Sequence, residues 1–108
     1  ATCVRVPVKT SHSESVNIEF EIDYDLEKVK KILSMAPGCK VVDDRKDGGY
    51  ITPVEAEGDN LTFISRIRKD NSNKKAFNMW VVSDNLLKGA ALNSVQIAEI
   101  LVKKINEK

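Results

Sequence analysis

Arg5 and His12 stand seven residues apart in a stretch that reads Thr2-Cys3-Val4-Arg5-Val6-Pro7-Val8 and then Ser11-His12-Ser13-Glu14-Ser15-Val16. Their side chains could do complementary chemistry. A guanidinium grips a carboxylate through two parallel charge-assisted hydrogen bonds. An imidazole moves protons near neutral pH, and His12 is the only histidine in the chain. Together they read as half of an active site. On residue type alone, Arg5 could equally be a solvated strand arginine and His12 a turn histidine. Ser11 and Ser13 flank the histidine, but no nucleophile-elbow pattern makes either a hydrolytic serine. Cys3 and Cys39 read as small core residues. One histidine and two scattered cysteines do not make a zinc site.

The elements that must position these groups follow from periodicity. Val4, Val6 and Val8 alternate with Cys3, Arg5, Pro7 and Lys9, the pattern of a strand with one apolar face. Pro7 places that strand at an edge or bends it. Seven is odd, so a continuous strand sends Arg5 and His12 to opposite faces. They converge only if Pro7 or the Thr10-Ser11 turn resets the register. Val16, Ile18, Phe20 and Ile22 make the clearest strand. Asp25 can cap a helix in which Leu26, Val29, Ile32, Leu33 and Ala36 share a face, and Pro37-Gly38 stops it. Residues 39–42 read as a short strand and residues 43–58 as a long excursion.

Further on, Leu61, Phe63, Ser65 and Ile67 are expected on one face of a strand, and Phe77, Met79 and Val81 on one face of another. Met79 and Trp80 read as core. Arg66, Arg68 and Lys69 read as a solvated strand face rather than a phosphate or nucleic-acid patch. From about Gly89 the period turns helical. One stripe runs through Ala91, Val95, Ala98, Val102 and Ile105 and is expected to pack on the sheet. A second runs through Leu92, Ile97, Ile100 and Leu101. A helix apolar over so much of its circumference needs cover on more than one side, and a small sheet covers only one. Asn85 is open between capping that helical region and contacting a ligand.

Composition sets the bounds. At 108 residues the chain suits one domain. A net charge of +1 supplies no field to draw in nucleic acid or acidic membranes. No apolar run approaches the roughly 18 residues of a membrane helix. No signal peptide opens the chain, so a reducing cytoplasm is the default reading and the sequon Asn60-Leu61-Thr62 is taken as chance. The chain runs from Ala1 straight into a strand pattern, as a processed start or a piece of a longer protein would.

The motifs Thr2-Cys3-Val4-Arg5-Val6-Pro7-Val8, His12-Ser13-Glu14-Ser15-Val16 and Ser65-Arg66-Ile67-Arg68-Lys69-Asp70 are followed by two more. These are Met79-Trp80-Val81-Val82-Ser83-Asp84-Asn85-Leu86-Leu87-Lys88-Gly89-Ala90-Ala91 and Asn93-Ser94-Val95-Gln96-Ile97-Ala98-Glu99. In order and spacing the chain resembles the C-terminal part of bacterial aspartate-semialdehyde dehydrogenases, over about the last third of that family's length. The resemblance implies NADP-linked interconversion of L-aspartyl 4-phosphate and L-aspartate 4-semialdehyde through a cysteine thioester, in lysine, threonine and methionine biosynthesis. By motif position it implies that Arg5 grips the substrate carboxylate, that His12 is the general acid/base and that Asn85 contacts the nicotinamide cofactor. The family's Asn-Cys-Ser nucleophile motif and glycine-rich nucleotide loop do not occur in these residues. Gly48-Gly49 lacks the required strand-to-helix setting.

The expected fold is therefore α+β: a mostly antiparallel sheet, one short helix and a long C-terminal helix. It would be an incomplete piece of a glyceraldehyde-3-phosphate-dehydrogenase-like C-terminal domain. Residues 1–108 would be a fragment of the catalytic and dimerisation domain, inactive alone. Its partners would be the rest of the parent chain, a small-molecule substrate and another copy in a homo-oligomer, with no nucleic acid, membrane or metal. Two rivals stand beside this reading. One is a sister acyl-phosphate reductase such as the N-acetyl-glutamyl-phosphate enzyme. The other is a non-catalytic binding or oligomerisation module.

Overall fold

The computed structural model describes residues 1–107. They form β1 (His12–Glu19), α1 (Leu26–Met35), β2 (Cys39–Val41), α2 (Pro53–Ala56), β3 (Thr62–Lys69) and β4 (Ala76–Ser83). A π-helical turn, Leu87–Ala91, then leads into α3 (Leu92–Asn106). The strands make one sheet in the order β1-β4-β3-β2. Pairing is antiparallel except between β2 and β3. The α+β expectation holds.

Period-two alternation in β4 sends its side chains to both faces, and each face has its own cover. On one face Ile64, Ile67 and Phe77 are buried, with Ile18, Met79 and the α1 residues Leu26, Val29 and Leu33 packed against them. Asp25 starts α1 by accepting the N–H groups of Glu27 and Lys28 at 2.9 and 3.4 Å. The helix ends before Gly38, whose φ of 75° suits a residue without Cβ. Ile32 belongs to the expected apolar face but is 55% exposed at its rim. The strand before α1 also stops early. It ends at Glu19, leaving Ile22 exposed, while Phe20 and Tyr24 stack beside Phe77 with ring centroids 5.1–5.9 Å apart.

The other face is covered by the excursion between β2 and β3. Ala56, Phe63 and Val82 are buried there, with Ile51, Leu61 and Trp80 against them. The Trp80 indole N–H donates to the Ile51 carbonyl at 3.0 Å, so Trp80 is core, as expected. Within the excursion α2 is an element that periodicity did not reveal.

A β-bulge divides β3. Ser65 pairs with Trp80 and Arg68 with Asn78, so two β3 residues oppose Met79 alone. Arg66 carries the turn at φ 52°. The bulge reverses the side-chain alternation. Ile67 therefore joins Ile64 beneath α1 instead of sharing a face with Phe63 and Ser65, which corrects the expected pattern. The freed backbone groups are satisfied from upstream. The Asp43 carboxylate accepts the Ile67 N–H at 3.1 Å, and the Arg45 guanidinium donates to the Ile67 carbonyl.

The β3–β4 hairpin turn is tied to β1 through one carboxylate. Asp70 accepts the Ser72 hydroxyl at 2.6 Å and its N–H at 2.7 Å, and the amides of Asn17 and Asn78 at 2.7 and 3.3 Å. The Ser72 hydroxyl and N–H, then Asn78 and Asn17, pull its pKa from 3.8 to about 2. A carboxylate whose folded pKa is depressed adds stability above its unfolded value and loses it as pH falls through the folded one. Urea midpoints should therefore drop between pH 3.8 and about 2, and Asp70→Asn should flatten that limb. An unaltered limb in the variant would remove this role.

Three expected placements fail. Residues 1–11 form no strand, and Val4 and Val6 are 75% and 56% exposed. Cys3 is likewise exposed, not core, whereas Cys39 packs against the α1-side cluster. Pro7 instead centres a three-residue turn, with the Val8 N–H donating to the Val6 carbonyl at 2.8 Å. The α3 stripe expected on the sheet is also bare: Val95, Val102 and Ile105 are exposed. Ile97, Ile100 and Leu101 of the second stripe are exposed as well. The helix leaves the sheet end and meets chiefly the π-helical turn. The radius of gyration, 15.7 Å, exceeds the about 13 Å of a compact chain of this length.

Candidate active-site half

His12 opens β1, and the antiparallel register sets it opposite Ser83 at the end of β4. The two strand ends therefore bring the residues just before His12 beside those just after Ser83. There the Asn85 Oδ1 accepts the Ser11 N–H at 2.7 Å, across 74 positions of sequence. Ser11 holds φ at 78°, the left-handed region that serine rarely occupies. A second tie lies one residue earlier, where the Thr10 hydroxyl donates to Glu57 Oε1 at 3.0 Å. The chain thus turns at Ser11 before entering β1, where the spacing argument asked for a reset. His12 itself is exposed.

Asp84 fixes the other side of the junction. It is 3% exposed. Its Oδ2 accepts the Gly58 N–H at 2.8 Å, and its Oδ1 accepts the N–H groups of Leu86 and Leu87 at 2.8 and 3.1 Å. The Gly58 N–H foremost, with those of Leu86 and Leu87, holds the carboxyl below its usual pKa against the opposing effect of burial. The helical run is therefore capped by Asp84, not by Asn85. Asn85 is left with its oxygen on Ser11 and its NH2 unengaged.

Arg5 lies in the exposed N-terminal segment. No hydrogen bond or ion pair joins it to His12 or any other group among the described residues. Two hydroxyls beside His12, Ser11 Oγ and Ser13 Oγ, are buried without a partner, which is unusual for buried polar atoms. The exposed cations of β3 are placed otherwise. Arg66 lies over the Tyr50 ring at 5.3 Å, and Arg68 donates to the Arg66 carbonyl at 2.8 Å. Among the described residues no group of three metal-ligating side chains occurs, and no helix is long and apolar enough to cross a membrane.

A model of the family described as semialdehyde dehydrogenase, dimerisation domain, matches residues 1–88. The chain belongs to this family. The aspartate-semialdehyde dehydrogenase of Bacillus subtilis is 54% identical to it over 107 residues, 98% of this chain and 31% of that protein. The Aquifex aeolicus enzyme of the same name is 48% identical over 104 residues, 96% of this chain and 31% of its own length. Aspartate semialdehyde dehydrogenase II of Vibrio cholerae, solved in complex with ASA, superposes with a TM-score of 0.85 at 41% identity. That match covers 94% of this chain and 30% of the Vibrio chain. The chain thus spans under a third of the length of these relatives.

As a member of the semialdehyde dehydrogenase family, the chain brings His12 and Asn85 to one sheet end and leaves Arg5 apart from them. A nicotinamide cofactor fits here only in part. The Asn85 NH2, unengaged among the described residues, is available as a donor, but these residues offer no glycine-rich turn between strand and helix for a pyrophosphate. Sequence reasoning missed Asp84, although an aspartate two and three residues ahead of Leu86 and Leu87 is an ordinary cap signal. It also missed the unpartnered Ser11 and Ser13 hydroxyls, which have no local signature.

Proposed function

We propose that this chain is the C-terminal part of the catalytic and dimerisation domain of a cytoplasmic aspartate-semialdehyde dehydrogenase. That enzyme would be the NADP-dependent oxidoreductase that interconverts L-aspartyl 4-phosphate and L-aspartate 4-semialdehyde. Arg5 binds the substrate carboxylate, His12 is the general acid/base, and Asn85 contacts the cofactor. The observation that carries this is the meeting of His12 and Asn85 at one strand end, in a chain 54% identical to the Bacillus subtilis enzyme over 107 residues.

The division of labour follows from the groups. Arg5 is exposed and has no partner among the described residues, so its fork is available to a carboxylate. His12 sits on a fixed strand end with its ring in solvent, where it can accept and return a proton during attack and release. NADP supplies the hydride acceptor when bound. Covalent catalysis needs a nucleophile, and neither Cys3 nor Cys39 stands in an Asn-Cys-Ser motif.

The test is phosphate-dependent NADP reduction by the full-length protein. L-Aspartate 4-semialdehyde should be oxidised well ahead of N-acetyl-glutamate semialdehyde, while the 108-residue chain alone shows no turnover. The opposite substrate preference would favour the sister reductase, against which the Trp80–Ala91 motif already argues.

The rest of the parent chain is the proposed cover for α3. Each leucine or isoleucine left in water forgoes roughly 1.5–3 kcal/mol, and Ile97, Ile100, Leu101 and Ile105 are all more than half exposed. In isolation the chain should self-associate through this helix. Replacing Ile97 and Ile100 with Glu should shift sedimentation toward monomer without loss of sheet signal. A monodisperse monomer before substitution would contradict this.

A further inference from the structure

Four observations meet at Asn85. Its Oδ1 accepts the Ser11 N–H at 2.7 Å. That N–H belongs to the residue immediately before His12, and Ser11 is held at φ 78°. The hydroxyls on both sides of His12, at Ser11 and Ser13, find no partner among the described residues. Asp84, bonded to three backbone N–H groups, makes the neighbouring turn rigid and takes over the helix cap. A cofactor contact alone requires none of this, and it leaves the oxygen of Asn85 unexplained. With that oxygen committed to an N–H, the orientation of the amide is settled and the NH2 is the group left for a ligand.

We propose that Asn85 is a positioning residue for His12: its bond to the Ser11 N–H sets the entry of the acid/base into β1, and the same side chain offers its NH2 to the cofactor. One amide then joins the hydride side of the site to the proton side. This rests on the roles proposed above for His12 and Asn85. A left-handed serine is an uncommon conformation that persists where its surroundings over-determine it, and the Asn85 bond is the contact at that residue that does so. Losing it loosens the Ser11 turn and leaves the approach to His12 held only by the Thr10–Glu57 bond and the Ser83 pairing.

The test uses Asn85→Ala and Asn85→Asp. In the full-length protein, Asn85→Ala should raise KM for NADP and also lower turnover at saturating NADP by about tenfold or more, since small misplacement of a catalytic group is costly. In the same full-length protein, amide exchange at Ser11 should accelerate about tenfold in Asn85→Ala while β3 amides hold. Asn85→Asp keeps an acceptor, so it should restore Ser11 protection without restoring KM for NADP. Turnover within about twofold of the parent at saturating NADP, with only KM raised, overturns the positioning role and leaves a plain cofactor contact. Ser11 exchange that is equally fast in all three proteins overturns it as well. Lowered turnover and lost Ser11 protection with KM for NADP unmoved would sustain the positioning role and remove the cofactor role instead.

Discussion

His12→Asn in the full-length protein is expected to lower turnover on the order of 10²–10⁴-fold, the usual cost of a lost acid/base. That corresponds to about 3–5 kcal/mol of transition-state stabilisation. The structure makes the experiment clean. His12 is exposed and its backbone is held by the Ser83 pairing, so the substitution empties no core and breaks no ladder bond. Asparagine keeps a polar side chain of similar reach but neither takes up nor releases a proton near neutral pH. KM for the semialdehyde should move little, because the role proposed for the imidazole is at the reacting groups rather than at the carboxylate. Steady-state kinetics alongside circular dichroism would separate lost chemistry from lost folding.

Arg5→Lys should do the converse. An ammonium keeps the charge but cannot reproduce two parallel hydrogen bonds. A charge-assisted bond contributes about 1.5–3 kcal/mol, so KM should rise on the order of 10–100-fold with turnover largely kept. Arg5 makes no hydrogen bond or ion pair among the described residues, and it is exposed. The stability of the chain should therefore be unchanged, which thermal unfolding of the variant would check.

Much of this was legible where local chemistry decides. Asp25 and Pro37-Gly38 bracketed α1 because caps and breakers act within a few residues. Phe77, Met79 and Val81 marked a buried face of β4 because alternation is intrinsic to a strand. Legibility ended where a distant partner decides. Val4, Val6 and Val8 have the rhythm of a strand, but a strand needs a neighbour to pair with, and among the described residues none lies alongside. Arg66 bears the bulge without being glycine, since Asp43 and Arg45 supply the Ile67 bonds from 24 and 22 residues away. Periodicity marks the apolar stripes of α3, yet it cannot say that the helix turns away from its own sheet and leaves them exposed. Arg5 and His12 stand out by residue type and motif alone. The Ser11–Asn85 bond spans 74 positions and left no local trace. Asp84 was overlooked as the cap because its neighbour Asn85 caps equally well by residue type.

The most direct measurement sets the Arg5→Lys and His12→Asn variants of the full-length protein side by side with L-aspartate 4-semialdehyde, phosphate and NADP. A clamp and an acid/base should separate cleanly, with KM raised and turnover kept for Arg5→Lys, and turnover lowered and KM kept for His12→Asn. Unchanged KM in the first and unchanged turnover in the second would contradict the assignment of these residues to a dehydrogenase active site.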